Sequence, residues 1–422
     1  MSRRIDYMYS MDPKIFGTHD ERTLAQMDRC MRVGSVAGGV LCADGHLGYA
    51  MPVGGVIAYE EHVSLSGVGF DIGCGNMAAK LDIRLDDFKA DVPALADDIA
   101  KTISFGIGRT NVERVEHELF DSPLWDACPE IKHLKTMARD QLGTVGSGNH
   151  YVDLFTDEDG FIWIGVHFGS RGLGHKTATT FLKLAGGKDG IDVEPALLHQ
   201  DSDLGQKYLA GMTLAGQYAY AGRQWVVERV RDLVGGAIVD EVHNHHNYAW
   251  RERHGDRDLW VVRKGATPAF PGQRGFVGGS MGDDAVILSG VESEQAALSL
   301  YSTVHGAGRV MSRTEARGRF VRDPETGKKI RQPGRVRHDE MQQWLRDKGV
   351  TLCGGGLDEA PQAYRRLPDV LAAHAVLAEN TVLGDPLERL VVRFLGVGLE
   401  HQPLARAPAP RVHQRMEARR EL

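Results

Sequence analysis

The sequence predicts an α+β fold built on mixed sheets, and three observations lead there. Strand-like and helical runs alternate without the regular beat of about 30 residues that βαβ units need. No internal repeat marks a solenoid or propeller. The chain, 422 residues with 42% hydrophobic and 25% charged, has the length and composition to bury a large core.

Taken in order, residues 18–33 (THDERTLAQMDRCMRV) read as a helix with Leu24, Met27 and Met31 on one side. The glycine-rich stretch 34–55 reads as loop. Strand-like runs at 56–59 and 77–83 flank a glycine-rich turn, and 93–102 reads as a helix with Pro93 suited to a first helical position. FIWIGVHF (161–168) reads as a buried strand ending at a glycine turn, and 201–234 as a long helix. Further strands are expected at 259–262, 285–288 and 390–395, and helices at 292–304, 339–348 and 367–378. One catalytic domain is expected over 1–400. Within it, the polar segment 321–337, with two prolines and a Glu-Thr-Gly turn, reads as an exposed hairpin or loop. The Pro-, Ala- and Arg-rich end, 401–422, reads as a flexible tail.

The formal charge of -7 rules out a general polycation, so any nucleic-acid site must be a local patch. One such patch is visible: between Arg309 and Arg346 there are eleven Lys/Arg against five Asp/Glu, although a solvated charged face explains it equally well. Five cysteines, an odd number, suit a reducing compartment in which a thiol can serve as a metal ligand. No apolar leader and no run of about 18 apolar residues occurs, so a cytoplasmic protein without a membrane span is expected. Glycine numbers 51, where average usage of about 7% gives roughly 30. The excess gathers beside His, Cys, Asp and Asn, as close ligand approach would require.

Five stretches carry the chemistry. GVGFDIGCGN (67–76) places Asp71 and Cys74 three apart in a glycine-lined turn, where carboxylate and thiolate could share a metal or bridge two. Alone it is as readily a buried cysteine beside a turn aspartate. GTVGSGNHYVD (143–153) offers Asn149 and His150, and IGVHFGSRGLGH (164–175) offers His167 at the end of an apolar strand. Arg171 follows in a Gly-Ser-Arg-Gly turn fit for an anion. EVHNHHNYAW (241–250) has three histidines within four positions, too dense to be common by chance, and these four stretches together favour a two-metal site that uses a lone cysteine. TVHGAGRVMSR (303–313) places His305 among small residues, where a helix is expected to end, with Arg309 and Arg313 four apart. No CxxC and no Walker sequence is present.

Read together, DGHLGYAMPVGG, GVGFDIGCG, GSGNH, HFGSRGLGH, HNYA, RKGAT, GSMG and HGAGR resemble, in order, the motifs of the RtcB RNA-ligase family. The likeness runs from about residue 35 to 315, with a weaker echo in EAPQAY (359–364). It implies one large α+β domain around a two-manganese centre, with Asp71, Cys74, His150, His167 and His246 as ligands and Cys74 bridging. It further implies that His305 takes GMP from GTP and that Asp44 orients it. The nucleotide would lie among Asn149, Tyr151, Asp153, Asn247, Ser280, Gly306, Gly308 and Tyr364. Arg171, Lys264, Arg309 and Arg313 would meet RNA phosphates.

The implied activity joins an RNA 3′-phosphate or 2′,3′-cyclic phosphate to a 5′-hydroxyl, in tRNA splicing or RNA repair, and admits an archease-like activator. A cyclic-phosphate phosphoesterase or a non-catalytic RNA-binding paralogue are the alternatives. The chain departs from the family in three places. VVRFLGVGLE and the tail stand where family chains end on a guanine-contacting lysine, and no lysine follows Lys348, which leaves base choice to Arg393 or a tail arginine. Asp153 replaces a common glutamate, and 321–337 is an unusual insert.

Overall fold

The computed structural model describes residues 12–375 and 387–399. A five-stranded sheet runs in the order Lys14–Ile15, Val36–His46, Val53–Tyr59, Arg257–Lys264, Asn247–His254, antiparallel except for its first pair. A larger sheet runs Arg274–Val277, Ala285–Gly290, Leu387–Leu399, Tyr151–Asp157, Phe161–Phe168, Gly75–Arg84, Ile238–His245, with Thr351–Cys353 added parallel to Leu387–Leu399. The fold is α+β with mixed sheets, as expected.

Alternation along the strands decides what the larger sheet presents on each face. Ile162, Ile164, Val166 and Phe168 point one way and bury against Val226, Val227 and Val230 of the helix Asp203–Val234. Trp163 points the other way, into a cluster with Ala78, Phe155 and Phe276. His167 shares the parity of Trp163, so it leaves the sheet on the face away from the long helix. Asn76 and Tyr151 lie directly opposite it on the flanking strands and share that face. The long helix itself starts at Ser202, whose hydroxyl accepts the Gly205 N–H. Its first half packs Tyr208, Met212 and Tyr218 into a separate core with Trp125, Ile131 and Phe181.

Two expectations were wrong. The stretch read as loop, 34–55, contains the eleven-residue strand Val36–His46. Its glycines serve packing: a Cβ on Gly39 would lie 2.2 Å from the Met31 sulfur of the overlying helix Glu21–Met31. The helix expected over 292–304 spans only Glu294–Leu298. Leu300 and Tyr301 take φ of 52° and 45°, and the chain then enters the strand Ser302–Val304, paired with Ala266–Pro268. His305 therefore follows a strand.

The polar insert forms an antiparallel hairpin, Gly318–Arg322 with Lys329–Pro333. Among the described residues no helix is long and apolar enough to cross a membrane. The expected tail, 401–422, lies outside the described residues, as do its arginines, and of Arg393 only the backbone position opposite Thr156 is described.

Candidate active site

Two groups of potential metal ligands meet at one sulfur. Cys74, His167 and His246 form one and Asp71, Cys74 and His150 the other, with ligand atoms within 4.8 Å of one another in each. The Cys74 Sγ lies 3.3 Å from Nε2 of His167 and 3.7 Å from Nε2 of His150. The Asp71 carboxylate lies 2.9 Å from Nε2 of His150. Nδ1 of His167 sits 2.9 Å from the Asn149 carbonyl, to which it donates, so the Nε2 lone pair faces the cluster.

Burial, then nearby His150 and His305 respectively, hold His167 and His246 well below the ordinary imidazole value, so both are neutral donors. Burial raises the Asp71 carboxyl, but contact with His150 and Cys74 and the charge of Arg171 together outweigh it and leave a pKa of about 2. Burial and Asp71 push the Cys74 thiol well up, so a divalent cation has to displace its proton.

The ligand loops are close-fitted by glycine. A Cβ on Gly146 would fall 2.0 Å from Nδ1 of His150, and one on Gly169 would fall 2.2 Å from the Asp71 carboxylate. Of the three clustered histidines, only His246 belongs to these groups of potential ligands. His243 and His245 lie opposite Met77 and Gly75 on the helix side of the sheet, where both meet Arg223 at 2.9 Å. Arg223 has no exposed surface and also donates to the carbonyls of Gly73 and Phe168, tying the Asp71–Cys74 turn to the end of the His167 strand. Burial lowers its pKa to about 10, still ample for a full charge at neutral pH.

Beside the cluster, the His305 Nδ1 lies 2.6 Å from a carboxylate oxygen of Asp44, a residue with no exposed surface. The same oxygen accepts the backbone N–H groups of His305 and Gly306 at 3.0 and 3.3 Å. Burial raises the Asp44 carboxyl, yet the facing imidazole and these N–H donors keep its pKa low. The left-handed turn at Leu300–Tyr301 that delivers His305 is gripped by buried Arg263, which donates to the Leu300 carbonyl at 2.9 Å and the Ser302 hydroxyl at 2.8 Å. Arg263 is in turn paired with Glu252 at 2.6 Å. His305 and His246 have ring centroids 4.9 Å apart.

A cleft of about 300 Å³ opens over the ligands and His305. Of the residues named from the sequence, Asn149, Tyr151, Asp153, Asn247, Ser280, Gly306, Gly308, Tyr364, Lys264, Arg309 and Arg313 line it too. Asp44 lies behind His305, and Arg171 lies behind the 143–150 loop. Arg171 donates to the Thr144 hydroxyl at 3.1 Å and the Gly106 carbonyl at 3.0 Å. Its φ of 55° is a strained value for a residue with a side chain.

Several charges expected to face phosphates are engaged inside the protein. The Lys264 ammonium donates to the carbonyls of Tyr49 and Ser66 at 2.6 and 3.0 Å, and burial lowers its pKa to about 8. Arg309 pairs with Glu359 at 2.9 Å, donates to the Tyr364 hydroxyl at 2.7 Å and lies over the Tyr364 ring. Arg313, partly exposed at the rim, pairs with Glu359 at 2.6 Å. Burial pushes the Asp153 carboxyl well above the ordinary range.

Sequence reading missed Asn76, Glu359, Arg223 and Arg263. Asn76, Arg263 and Glu359 stand inside quoted motifs and could have been taken from them. Arg223 had one signal, its place among the apolar positions 219, 222, 226 and 230 of a helix.

The family model for tRNA-splicing ligase RtcB matches residues 26–128 and 125–387. The chain is 30% identical to the RNA-splicing ligase RtcB of Escherichia coli K12, over 80% of this chain and 85% of that protein. It is 31% identical to the tRNA-splicing ligase RtcB of Archaeoglobus fulgidus, over 78% and 82% of the two. With the tRNA-splicing ligase RtcB of Thermococcus kodakarensis it shares 28%, over 86% and 89%.

Proposed function

The chain belongs to the RtcB family of tRNA-splicing ligases, and from that premise we propose that it seals an RNA 3′-phosphate to a 5′-hydroxyl using GTP and two manganese ions. A 2′,3′-cyclic phosphate is first opened to the 3′-phosphate. The observation that carries this reading is the Asp44 carboxylate set 2.6 Å from Nδ1 of a histidine beside the ligand cluster. An imidazole held through Nδ1 offers Nε2 as nucleophile.

Nε2 of His305 attacks the α-phosphorus of GTP, and the bond to pyrophosphate breaks. Asp44 balances the positive charge that develops on the ring. An oxygen of the RNA 3′-phosphate then attacks the same phosphorus and displaces His305. Finally the 5′-hydroxyl attacks the activated 3′-phosphate, loses its proton and expels GMP. Asn149, Tyr151, Asp153, Asn247, Ser280, Gly306, Gly308 and Tyr364 surround the nucleotide, and Arg313 at the rim approaches the RNA end.

The donor set fits divalent cations: a carboxylate, a thiol and imidazoles kept neutral by burial. Asp71 and His150 would hold one ion, His167 and His246 the other, and Cys74 both. Bound there, the ions supply positive charge against the triphosphate. Manganese rests on the family; these ligand types suit zinc, iron or cobalt equally.

The test is incubation with GTP labelled at the α-phosphate. An acid-labile label on the protein is expected, absent in His305→Ala with metal content unchanged. Metal loss in that variant would make His305 a ligand and overturn the assignment. Labelling by ATP in a parallel reaction would show that the altered C-terminal region has changed base choice.

A further inference from the structure

The insert that the active-site reading leaves unused carries a surface of its own. Residues 317–337 hold eight Lys/Arg against two acidic residues, in a chain whose formal charge is -7. Both strands of the hairpin are exposed along most of their length. In its register Phe320 lies opposite Arg331 and Arg322 opposite Lys329. Directly opposed residues share a face, so one side of the ribbon presents Phe320, Arg322, Lys329 and Arg331 together.

Phe320 is 62% exposed, with the Lys329 ammonium 4.9 Å from its ring centre. Among the described residues, none of these three cations has a carboxylate within ion-pair distance; Arg322 and Arg331 reach only the backbone carbonyls of Gly327 and Arg317. An exposed aromatic flanked by unpaired cations is the arrangement that stacks a base and tracks a phosphate backbone. The ribbon is also tied to the cleft: it starts directly after the short helix Arg313–Arg317, whose first residue lines the cleft. Five strand residues extend the surface by roughly 17 Å.

We propose that the 318–333 hairpin is an RNA-holding arm, which grips the single-stranded segment next to the end being joined, a base on Phe320 and phosphates on Arg322, Lys329 and Arg331. This rests on the reading of the cleft as an RNA-end-joining site, and it adds a subsite outside that cleft. A polyanionic strand matches the charge, and the aromatic explains why a base rather than phosphate alone is held.

The experiment compares full-length wild type, Phe320→Ala and the triple variant Arg322→Glu, Lys329→Glu, Arg331→Glu. Binding of a long single-stranded RNA with a 3′-phosphate is measured by fluorescence anisotropy across a salt series, beside ligation kinetics on the same RNA and on a dinucleotide 3′-phosphate. Phe320→Ala should weaken binding of the long RNA at least about fivefold. The triple variant should weaken it more and flatten the salt dependence by about two units of slope, from three lost contacts at roughly 0.7 each. KM should rise for the long RNA only, with kcat and labelling by GTP unchanged. Wild-type affinity and salt slope in the triple variant would overturn the arm, including in favour of a protein partner for this face. An equal loss on the dinucleotide would also overturn it, since the effect would then lie in the cleft. If wild type takes no label from GTP while the variants still lose RNA affinity, the ligase reading fails and the arm stands.

Discussion

Arg223 has no exposed surface and donates to two backbone carbonyls and two imidazoles from three separate strands and turns. Arg322 and Arg331 stand on a two-stranded ribbon and touch only local backbone. The same side chain is used in the floor of the cleft to fix geometry and on the hairpin to leave charge available. Arg263 belongs with Arg223: buried, paired with Glu252, and holding the turn that presents His305. In the floor a guanidinium works through the acceptors it satisfies. On the hairpin it works through those it leaves for another molecule.

That contrast can be broken by mutation, beginning with its buried side. Arg223→Met removes the donor from four acceptors, of which the Gly73 carbonyl still accepts from His245; at about 1–3 kcal/mol for each of the other three, the loss should exceed roughly 3 kcal/mol. Urea unfolding measures it, and metal content should fall with it; a stable variant with full metal would show that the floor does not depend on this residue. Next, Glu252→Gln should cost about 3 kcal/mol near neutral pH, because the buried Arg263 charge loses its partner.

The pH dependence of this second effect has a definite sign. Burial raises the Glu252 carboxyl, but Arg263 and His254 lower it further, leaving its pKa below the ordinary 4.5. Its stabilisation is therefore complete above pH 4.5 and disappears as pH falls through the depressed folded value. The stability gap between wild type and Glu252→Gln should narrow on acidification below that point. A gap that stays constant would mean the pair is not the source. The smallest effect belongs to the hairpin: the triple charge reversal should change unfolding free energy by no more than about 0.5 kcal/mol. A larger loss would show that the ribbon supports the fold.

The same contrast explains what could be read from the chain beforehand. Cys74, His150, His167 and His246 stand in compact motifs, and strand parity carries His167 to the correct face once FIWIGVHF is recognised as a strand. The hairpin was legible because its turn chemistry is local. The strand holding Asp44 was misread because Gly38, Gly39 and Gly45 look like loop, whereas at least Gly39 is there to let a helix lie close. Arg223, on an apolar helix face, and Arg263, inside RKGAT, were passed over because what they do lies in distant partners, as far as 150 residues away in the chain for Arg223. The left-handed Leu300–Tyr301 turn escaped notice since neither residue is one that favours such a backbone.

The split of the three histidines also limits how this chain can change length. From Asp240 to His245 each position is assigned to a side, and the assignment reverses with every residue, whereas between Ile238 and Asp240 the pairing with the strand Gly75–Arg84 already shifts register. Inserting or deleting one residue between Asp240 and His243 would slide the run by a step, turning helix-facing imidazoles toward the cleft and taking His246 out of reach of Cys74. A change of two would keep the sides and shift only the depth. Length variation between Asp240 and His245 among descendants of the chain should therefore come in even numbers or not at all.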